Sequence, residues 1–264
     1  MNAVYNSYKI RKILISSAFY LLVAALFFVP FRVFSASSNK KMVDFDKSMK
    51  RNYAFSKRQS VSDPQWILLR NLYKQFQERA KKPGKKYRIP KKIHFIWLGS
   101  PLPERCKLCI ASWEKMHPSW QVRVWTDADV ESFQMTNKHH FDDAKNWGEK
   151  SDIWRYEILY RHGGVYADTD FECVKPFDFV HKSCELYAGT AFVTMPLLYN
   201  GLIGSAPGHP VLKLCIDTMS RTSNNNDSNR IMDETGPQFF TRCFFHHALS
   251  CSEGLVGLPT TILY

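Results

Sequence analysis

Two carboxylates spaced to share a cation follow a pair of glycines. Asp168 and Asp170 come directly after the run GGVYA, which reads as a short apolar strand. In an extended strand residues i and i+2 share a face, so we expect the two carboxylates to converge. At about 6 Å apart they would repel by roughly 3 kcal/mol at an effective dielectric of 20, which a bound cation would offset. Hard oxygen ligands suit Mg²⁺ or Mn²⁺, which leave positions open for phosphate oxygens.

A second pair of charges lies in the run SDIWRYEILYRH, just before the glycines. At 100° per residue, Asp152 and Arg155 lie on one side of a helix and Glu157 and Arg161 on the other. We expect the Glu157–Arg161 pair, at i,i+4 spacing, to face solvent. Because buried ion pairs are costly to desolvate, we interpret Asp152–Arg155 as facing a cleft, with an internal structural pair as the alternative. Gly163 is expected to end the helix in the left-handed conformation.

The elements that position these charges alternate between strands and helices from residue 89 onward. Strands are predicted in KKIHFIWLG, WQVRVWTD, GGVYADTD, ELYAGTAFVTM and LLYNGLIGSA, and helices in CIASWEKM, in the stretch ending at SDIWRYEILYRH, and in HPVLKLCIDTMSR. This alternation predicts an α/β fold with a mixed, mostly parallel sheet. Upstream, Asp63 and Pro64 are a good N-cap and first residue for a helix predicted over 63–82.

The N-terminal third differs in composition from the rest of the chain. Residues 1–92 hold 21 of the 36 Lys and Arg residues but only 4 of the 24 Asp and Glu residues. The formal charge of +12 therefore belongs to this third, which favours attraction to acidic lipid over a nucleic-acid-binding domain. Residues 13–31 carry no charge and would span roughly 28 Å as a helix, enough to cross a bilayer. A cleaved signal peptide is the alternative, and flanking Lys and Arg residues do not decide orientation.

These features divide the chain into four predicted segments. They are a short basic tail over 1–12, a transmembrane signal anchor over 13–31, a basic flexible stem over 32–88 that contains the helix 63–82, and a catalytic domain over 89–264. We expect a single-pass membrane protein, with its domain in the Golgi or ER lumen in a eukaryote and at the inner membrane in a bacterium. All seven cysteines follow residue 100, and CKLC at 106–109 lacks the second pair that a zinc site needs. We interpret them as packed or disulfide-bonded.

Three runs of sequence together resemble a known family. They are IPKKIHFIWLGSPLPERCKLCIASW, VWTDADV and SDIWRYEILYRHGGVYADTDFECVKPFD, in that order. They resemble the DXD-containing glycosyltransferases of family 32, which include yeast-type mannosyltransferases and capsular-polysaccharide enzymes, over roughly residues 89–214. The resemblance implies a GT-A fold, a nucleotide-diphospho-sugar donor, Mn²⁺ (or Mg²⁺), and transfer with retention of anomeric configuration.

The resemblance also assigns roles to individual residues. Asp170 would ligate the metal, and Asp168 would bind sugar or ribose hydroxyls and contribute to the metal site. The run TGPQFF from Thr235 is similar to the family's acceptor-side loop. The remaining donor contacts that it implies are Trp97 stacked on the nucleobase, Asp152 and Arg155 on sugar and phosphate, Tyr166 lining the donor pocket, and Asn200 beside the transferred sugar.

The predicted function is that of a membrane-anchored retaining glycosyltransferase. It would move a hexose from GDP-mannose or a UDP-sugar to a glycan, glycolipid or protein acceptor, with no nucleic-acid partner. Relatives usually continue beyond LPTTILY with a segment that closes over the diphosphate, so that segment is missing, replaced, or outside this sequence. The alternative is a catalytically impaired relative that binds sugar nucleotides or carbohydrate at a membrane. An aspartyl-phosphate phosphatase is disfavoured, because Glu172 stands where that class has Thr or Val.

Overall fold

The computed structural model describes residues 31–33, 43–49, 63–192, 195–223 and 225–259. The chain divides into a unit over Met1–Phe31 and a main unit over Arg32–Tyr264. Of the predicted membrane anchor over 13–31, only the last residue falls within the described residues. Among the helices that are described, none has the length and apolar character needed to cross a membrane.

A mixed six-stranded sheet organises the main unit. Its strand order is β3-β2-β4-β7-β6-β8, and β1 and β5 form a separate two-stranded sheet. β2 runs parallel to β3 and β4, and β6 parallel to β8, whereas β7 is antiparallel to both β4 and β6. The predicted α/β fold with a mixed, mostly parallel sheet is confirmed. The strands are β1 (Phe31–Val33), β2 (Lys92–Ile96), β3 (Gln121–Trp125), β4 (Gly164–Ala167), β5 (Phe171–Cys173), β6 (Leu186–Phe192), β7 (Pro196–Ser205) and β8 (Leu255–Leu258).

Helices connect and cover these strands. Helix α6 packs against β2, β4 and β7, α10 packs against β7 and α8, and α3 packs against β5. A single 3₁₀ turn, Glu131–Phe133, follows α4. The helices are α1 (Phe45–Met49), α2 (Pro64–Lys81), α3 (Glu104–Met116), α4 (Asp127–Val130), α5 (Lys138–Asp143), α6 (Trp147–His162), α7 (Asp178–Ser183), α8 (Pro210–Thr218), α9 (Ser228–Glu234) and α10 (Pro237–Ser250).

Helix α2 forms where its start signals predict it, and it belongs to the core. The Asp63 carboxylate accepts hydrogen bonds from the first-turn N–H groups of Gln65 and Trp66, at 2.8 and 3.1 Å. Its apolar stripe is fully buried, and the helix packs on β8. Residues 45–49 were predicted to be part of a flexible stem, but they form α1, whose Phe45 ring lies 5.0 Å from that of Trp66. Burial of this aromatic pair orders the segment.

The glycine pair after α6 sets how β4 enters the sheet. Gly163 ends α6 as predicted and has a positive φ of +58°, but its ψ of −168° is extended and not that of the left-handed helical conformation. This region is open to glycine almost alone. Gly164 has a φ of +101°, and a Cβ on it would come within 2.6 Å of the Lys92 carbonyl oxygen. Glycine at 164 therefore lets β4 lie directly beside β2.

The prediction that Glu157 and Arg161 form a solvent-facing pair is wrong. Glu157 is buried, and its carboxylate accepts hydrogen bonds from the backbone N–H groups of Thr136 and Asn137, both at 2.7 Å. Arg161 instead donates to the carbonyl oxygens of residues 133 and 134. Helix α6 is packed by α5 and α8 as well as by the sheet, so both of its faces are covered. The two charges fix the segment before α5.

Candidate active site

A cleft of about 680 Å³ lies where β2 and β4 end. Its walls come from the loop after β2, the start of α3, the first half of α6, the turn after β4, residue 200 of β7, and α9. All the site residues predicted from the sequence line it: Trp97, Asp152, Arg155, Tyr166, Asp168, Asp170 and Asn200. Carboxyl ends of parallel strands are where α/β folds build ligand sites.

Arg155 is the hub of the polar contacts in this cleft. Its guanidinium lies 3.1 Å from the Asp152 carboxylate and 3.5 Å from that of Asp168. It also donates to the Asn200 carbonyl oxygen at 2.7 Å and lies over the Tyr166 ring, 4.4 Å from its centroid. Burial by itself lowers the pKa of Arg155, but the neighbouring groups raise it above its usual value. Arg155 is therefore a fixed, fully buried positive charge.

The Asp168–Asp170 pair lies in a turn, not in a strand. Strand β4 ends at Ala167 and residues 169–170 form the turn, so the predicted shared face of an extended strand is wrong. The pairing of β4 with β7 places Asp168, whose backbone N–H donates to the Gly201 carbonyl oxygen at 2.8 Å. The Tyr166 hydroxyl donates to its carboxylate, also at 2.8 Å. Both carboxylates nevertheless line the cleft.

Gly201 forms a close-fitting cradle behind Asp168. A Cβ on Gly201 would come within 2.4 Å of Oδ2 of Asp168, closer than any real Cβ contact. One carboxylate oxygen is thus held by Tyr166 and Arg155, and the other is backed by bare backbone. The orientation of this carboxylate is fixed before any ligand binds.

The carboxylates carry an electrostatic strain that a cation would relieve. Burial, followed by the charge of Asp168, raises the pKa of Asp170. Burial likewise raises the pKa of Asp152 to about 7, against the opposing effect of Arg155. Within the described residues no group of three or more His, Cys, Asp or Glu side chains could hold a metal. A site with only two carboxylates fits Mg²⁺ or Mn²⁺, which take few protein ligands and complete their coordination with phosphate oxygens and water.

A buried hydrogen-bond network holds Asp152 from behind. The Asn200 amide donates to the Asp152 carboxylate at 2.8 Å and to the Tyr156 hydroxyl at 3.1 Å. Tyr156 in turn donates to the Thr235 carbonyl oxygen at 2.7 Å. The run TGPQFF, expected as an acceptor-side loop, therefore begins with a fully buried residue, and from Pro237 it is helix α10. Its local sequence could not reveal that it packs behind Asp152.

Two tryptophans also line the cleft. Trp97 is half-buried, and its indole N–H donates to the Ser100 hydroxyl at 3.2 Å. Trp147 is 52% exposed, and its ring packs on Gly99, where a Cβ would come within 2.4 Å of Cζ2. Exposed aromatic surface beside a cleft is typical of ligand-binding sites. Sequence reasoning missed Trp147, although a tryptophan at the start of the helix that carries Asp152 was an available signal.

Helix α9 is held against α6 by a buried ionic cluster. Glu149 is fully buried and accepts from Arg221 at 2.8 Å and from Arg230 at 2.9 and 3.1 Å. Arg230 also pairs with Glu234 at 2.6 Å. Both arginines come from the polar run SRTSNNNDSNR, and their side chains are buried in this cluster. The cluster positions the α9 side chains that line the cleft.

Asp233 and the CKLC cysteines take no part in these hydrogen bonds and ion pairs. Asp233 is exposed and pairs with Arg242, so it has no place in the cleft. Of the CKLC cysteines, Cys106 is buried and lines the cleft, while Cys109 is half-buried. All seven cysteines are free thiols in this structure.

Comparison with known proteins relates the chain to glycosyltransferases. Residues 103–186 match the family described as glycosyltransferase sugar-binding region containing DXD motif. The chain is 31% identical over 193 residues to inositol phosphoceramide mannosyltransferase 1 of Schizosaccharomyces pombe, covering 68% of this chain and 59% of that protein. It is 31% identical over 168 residues to mannosyl phosphorylinositol ceramide synthase SUR1 of Saccharomyces cerevisiae, covering 60% and 42%. The chain thus spans about half the length of these curated relatives.

A solved structure supports the same fold. The PaToxG glycosyltransferase superposes with a TM-score of 0.52 at 18% identity, covering 70% of this chain and 80% of that one. At this identity the likeness speaks for the fold alone, which is GT-A-like. The resemblance inferred from the sequence motifs is confirmed.

Proposed function

We propose that this chain, which belongs to the DXD-containing glycosyltransferases, transfers a hexose from a nucleotide-diphospho-sugar to a glycan, glycolipid or protein acceptor. The observation that carries the proposal is the Asp168 carboxylate, preset by Tyr166, Arg155 and Gly201 beside Asp170. Mannose is the first sugar to test and GDP the first nucleotide, because the curated relatives are named as mannosyltransferases. A UDP-sugar is the second candidate donor.

The donor would lie in the cleft with its base against the two tryptophans. Trp97 and Trp147 offer aromatic faces, on which bases stack irrespective of their identity. The diphosphate would then reach Asp168 and Asp170 at the turn after β4. The sugar would contact Asp152 and Asn200, whose polar atoms already bond to each other and can align a hydroxyl.

A divalent metal would be held by Asp168 and Asp170. When bound, Mn²⁺ or Mg²⁺ supplies Lewis-acid neutralisation of the leaving diphosphate. The protein's own contribution is Arg155, a buried cation whose position requires no reorganisation as negative charge develops on the phosphate. Asp152 keeps this guanidinium in place and, in its ionised form, accepts a hydrogen bond from the donor sugar. We propose retention of anomeric configuration and assign no side-chain nucleophile.

The intact polar network favours an enzyme over an inactive sugar-nucleotide-binding relative. Binding alone does not require a fully buried arginine bridging two carboxylates, since an exposed cation would attract a diphosphate. Here Arg155 is 4% exposed and Asp152 is 8% exposed, and each is hydrogen-bonded. Such preorganisation costs desolvation energy, and differential stabilisation of a transition state accounts for it.

The test is a donor panel with and without metal. The full chain is incubated with GDP-mannose, UDP-glucose and UDP-N-acetylglucosamine, with Mn²⁺ or EDTA, and sugar release and transfer are followed. We expect metal-dependent release from one donor, and loss of at least about 100-fold in Asp170→Asn, because metal binding needs that carboxylate. Asp142→Asn, an exposed acid paired with Lys138, is the matched control. Binding without turnover would support the inactive relative, and no binding to any donor would refute the proposal.

We further propose that residues 13–31 anchor the chain in a membrane and that residues 89–264 form the catalytic domain. The uncharged stretch and its basic flanks support the anchor. Alkaline carbonate extraction of membranes tests it, comparing the full chain with one that lacks residues 1–31. Extraction of the full chain into the soluble fraction would contradict the membrane anchor. The proposed transferase activity does not depend on that result.

A further inference from the structure

The side-chain amide of Asn200 uses both of its hydrogens inside the protein. One N–H donates to the Asp152 carboxylate at 2.8 Å and the other to the Tyr156 hydroxyl at 3.1 Å. An asparagine side chain carries two N–H donors and one carbonyl acceptor. Asn200 is also held by its backbone, since Arg155 donates to its carbonyl oxygen at 2.7 Å. The polar atom that remains on this side chain is the amide oxygen, Oδ1.

Tyr156 decides which way this amide faces. The Thr235 carbonyl oxygen can only accept, so the single hydroxyl hydrogen of Tyr156 is donated to it, at 2.7 Å. The hydroxyl oxygen therefore meets Asn200 as an acceptor, and only the N–H side of the amide can pair with it. An amide turned by 180° would set two acceptors against each other and leave both unpaired. This demand holds whatever the protonation state of Asp152, because the Tyr156 hydrogen is already committed.

The atom that Asn200 offers to a ligand is consequently an acceptor. Within the described part of the chain, no donor bonds to Oδ1 of Asn200, and Oδ1 is not one of the polar atoms that are buried without a partner. Because Asn200 lines the cleft, Oδ1 is open to whatever binds there. An ionised phosphate oxygen has no hydrogen to donate to Oδ1, whereas a sugar hydroxyl has one.

Tyr156 itself has no access to the ligand. It is fully buried, and it is not among the described residues that line the cleft. Its ring stacks on that of Phe240 in α10, with the ring centroids 6.0 Å apart and the planes 10° from parallel. Of the two residues that its hydroxyl bonds, Asn200 lines the cleft and Thr235 does not. An effect of this hydroxyl on ligand binding is therefore expected to pass through Asn200.

We propose that Tyr156 is a positioning residue, whose hydroxyl fixes the Asn200 amide so that Oδ1 accepts a hydrogen bond from a hydroxyl group of the transferred sugar. The inference rests on the proposed function, because it assigns that hydroxyl to the donor sugar. A sugar without the hydroxyl leaves a buried oxygen unpaired, so the cleft selects against it. The competing interpretation is that the Tyr156 hydroxyl only ties α6 to the start of α10 through Thr235.

The test removes the hydroxyl alone. Tyr156→Phe keeps the ring and its packing on Phe240. With the full chain and Mn²⁺, isothermal titration compares GDP-mannose with GDP, and UDP-glucose with UDP. We expect Tyr156→Phe to raise Kd about 10-fold for the sugar nucleotide that binds, the effect of one well-placed hydrogen bond, and less than about twofold for the matching free nucleotide.

A double-variant comparison shows whether the effect passes through Asn200. In an Asn200→Ala background, Tyr156→Phe should change Kd less than about twofold, because the group on which it acts is gone. Equal effects in both backgrounds would overturn the proposal. Tyr187→Phe is the matched control, since Tyr187 is equally buried and its hydroxyl bonds His181 at 3.0 Å, away from the lining residues. If Tyr156→Phe lowers thermal stability as this control does and leaves Kd unchanged, its role is structural only and the proposal fails.

Sugar-nucleotide analogues that each lack one sugar hydroxyl identify the group that Oδ1 accepts from. One analogue should bind wild type about 10-fold more weakly than the parent and should bind Tyr156→Phe equally well. If Tyr156→Phe weakens the binding of every analogue as much as that of the parent, the assignment to a sugar hydroxyl is wrong.

Urea denaturation without any ligand separates this inference from the proposed function. Tyr156→Phe and Asn200→Ala remove the same hydrogen bond, so the double variant should lose less stability than the sum of the two single losses. Additive losses refute the inference, whatever the donor panel shows. A smaller loss in the double variant, in a chain that binds no sugar nucleotide, supports the positioning of Asn200 by Tyr156 and refutes the proposed function.

Discussion

Replacing Gly201 with alanine should disable the site while leaving the fold intact. The added Cβ would lie 2.4 Å from Oδ2 and 3.2 Å from Cγ of Asp168. Carbon and oxygen do not approach this closely, so the carboxylate must retreat by roughly half an ångström or more. That movement breaks the fit to the Tyr166 hydroxyl and to Arg155. Misplacement on the order of 1 Å costs about 100-fold in rate, and we expect kcat/KM to fall by about that factor.

The assay is steady-state transfer at several Mn²⁺ concentrations, beside thermal unfolding. Because the carboxylate that holds the metal moves, we expect the Mn²⁺ concentration for half-maximal rate to rise together with the loss of kcat/KM. The unfolding midpoint should change by no more than a few degrees, since the shifted group is half-exposed. Gly84→Ala, whose Cβ would meet only atoms at 3.9 Å, is the control. A Gly201→Ala enzyme within about threefold of wild type in kcat/KM would refute the cradle.

Three further perturbations test other parts of the structure. Burial raises the pKa of Asp152 to about 7, and its ionised form is the one proposed to bind the sugar, so kcat/KM should rise as pH increases through that value. If Asp152→Asn shows the same rise of kcat/KM with pH, the assignment to Asp152 is contradicted. Glu149→Gln leaves the buried Arg221 without its anion and Arg230 with Glu234 alone, and it should cost about 3–5 kcal/mol in urea denaturation. A loss under about 1 kcal/mol would show that the cluster is dispensable. Burial lowers the pKa of His94 to about 4, so the unfolded chain takes up its proton first as pH drops. The part of the stability that depends on His94 should be fully present well above pH 6.5 and about 2 kcal/mol lower at pH 5. Burial also lowers the pKa values of His117, His181 and His209, which add to this loss, so a flat profile of urea-denaturation free energies would contradict the prediction.

Local signals in the sequence predicted the features that depend on neighbouring residues. The Asp63 cap and the Pro64 start of α2 need only the adjacent turn, and they are found as predicted. Helical spacing alone placed Asp152 and Arg155 on one side, and they line the cleft together. The Gly-Gly pair in the sequence also predicted the sharp turn into β4. In the structure, glycine at 164 is what lets β4 lie beside β2.

Errors arose where distant segments decide the outcome. Helical spacing placed Glu157 on one face of α6 but could not show that α5 and α8 cover that face. Nor could it show that backbone N–H groups 20 and 21 residues away donate hydrogen bonds to the Glu157 carboxylate. The turn at Asp168 depends on pairing between β4 and β7, which are separated by three other elements. The Thr235 carbonyl oxygen accepts a hydrogen bond from Tyr156, 79 residues away in the chain, and no local sequence pattern predicts such a contact.

The contact between α2 and β8 has a consequence for how the protein is made. A Cβ on Gly257 would come within 2.7 Å of a methyl group of Leu69, so helix and strand are pressed together although 188 residues separate them. On a ribosome that adds about 5–20 residues per second, α2 emerges roughly 10–40 s before its partner strand. Throughout that interval the part of its apolar stripe that packs on β8, with Leu69, has no binding surface. We expect nascent chains of this protein to depend on chaperones that hold exposed apolar helices until β8 has been synthesised.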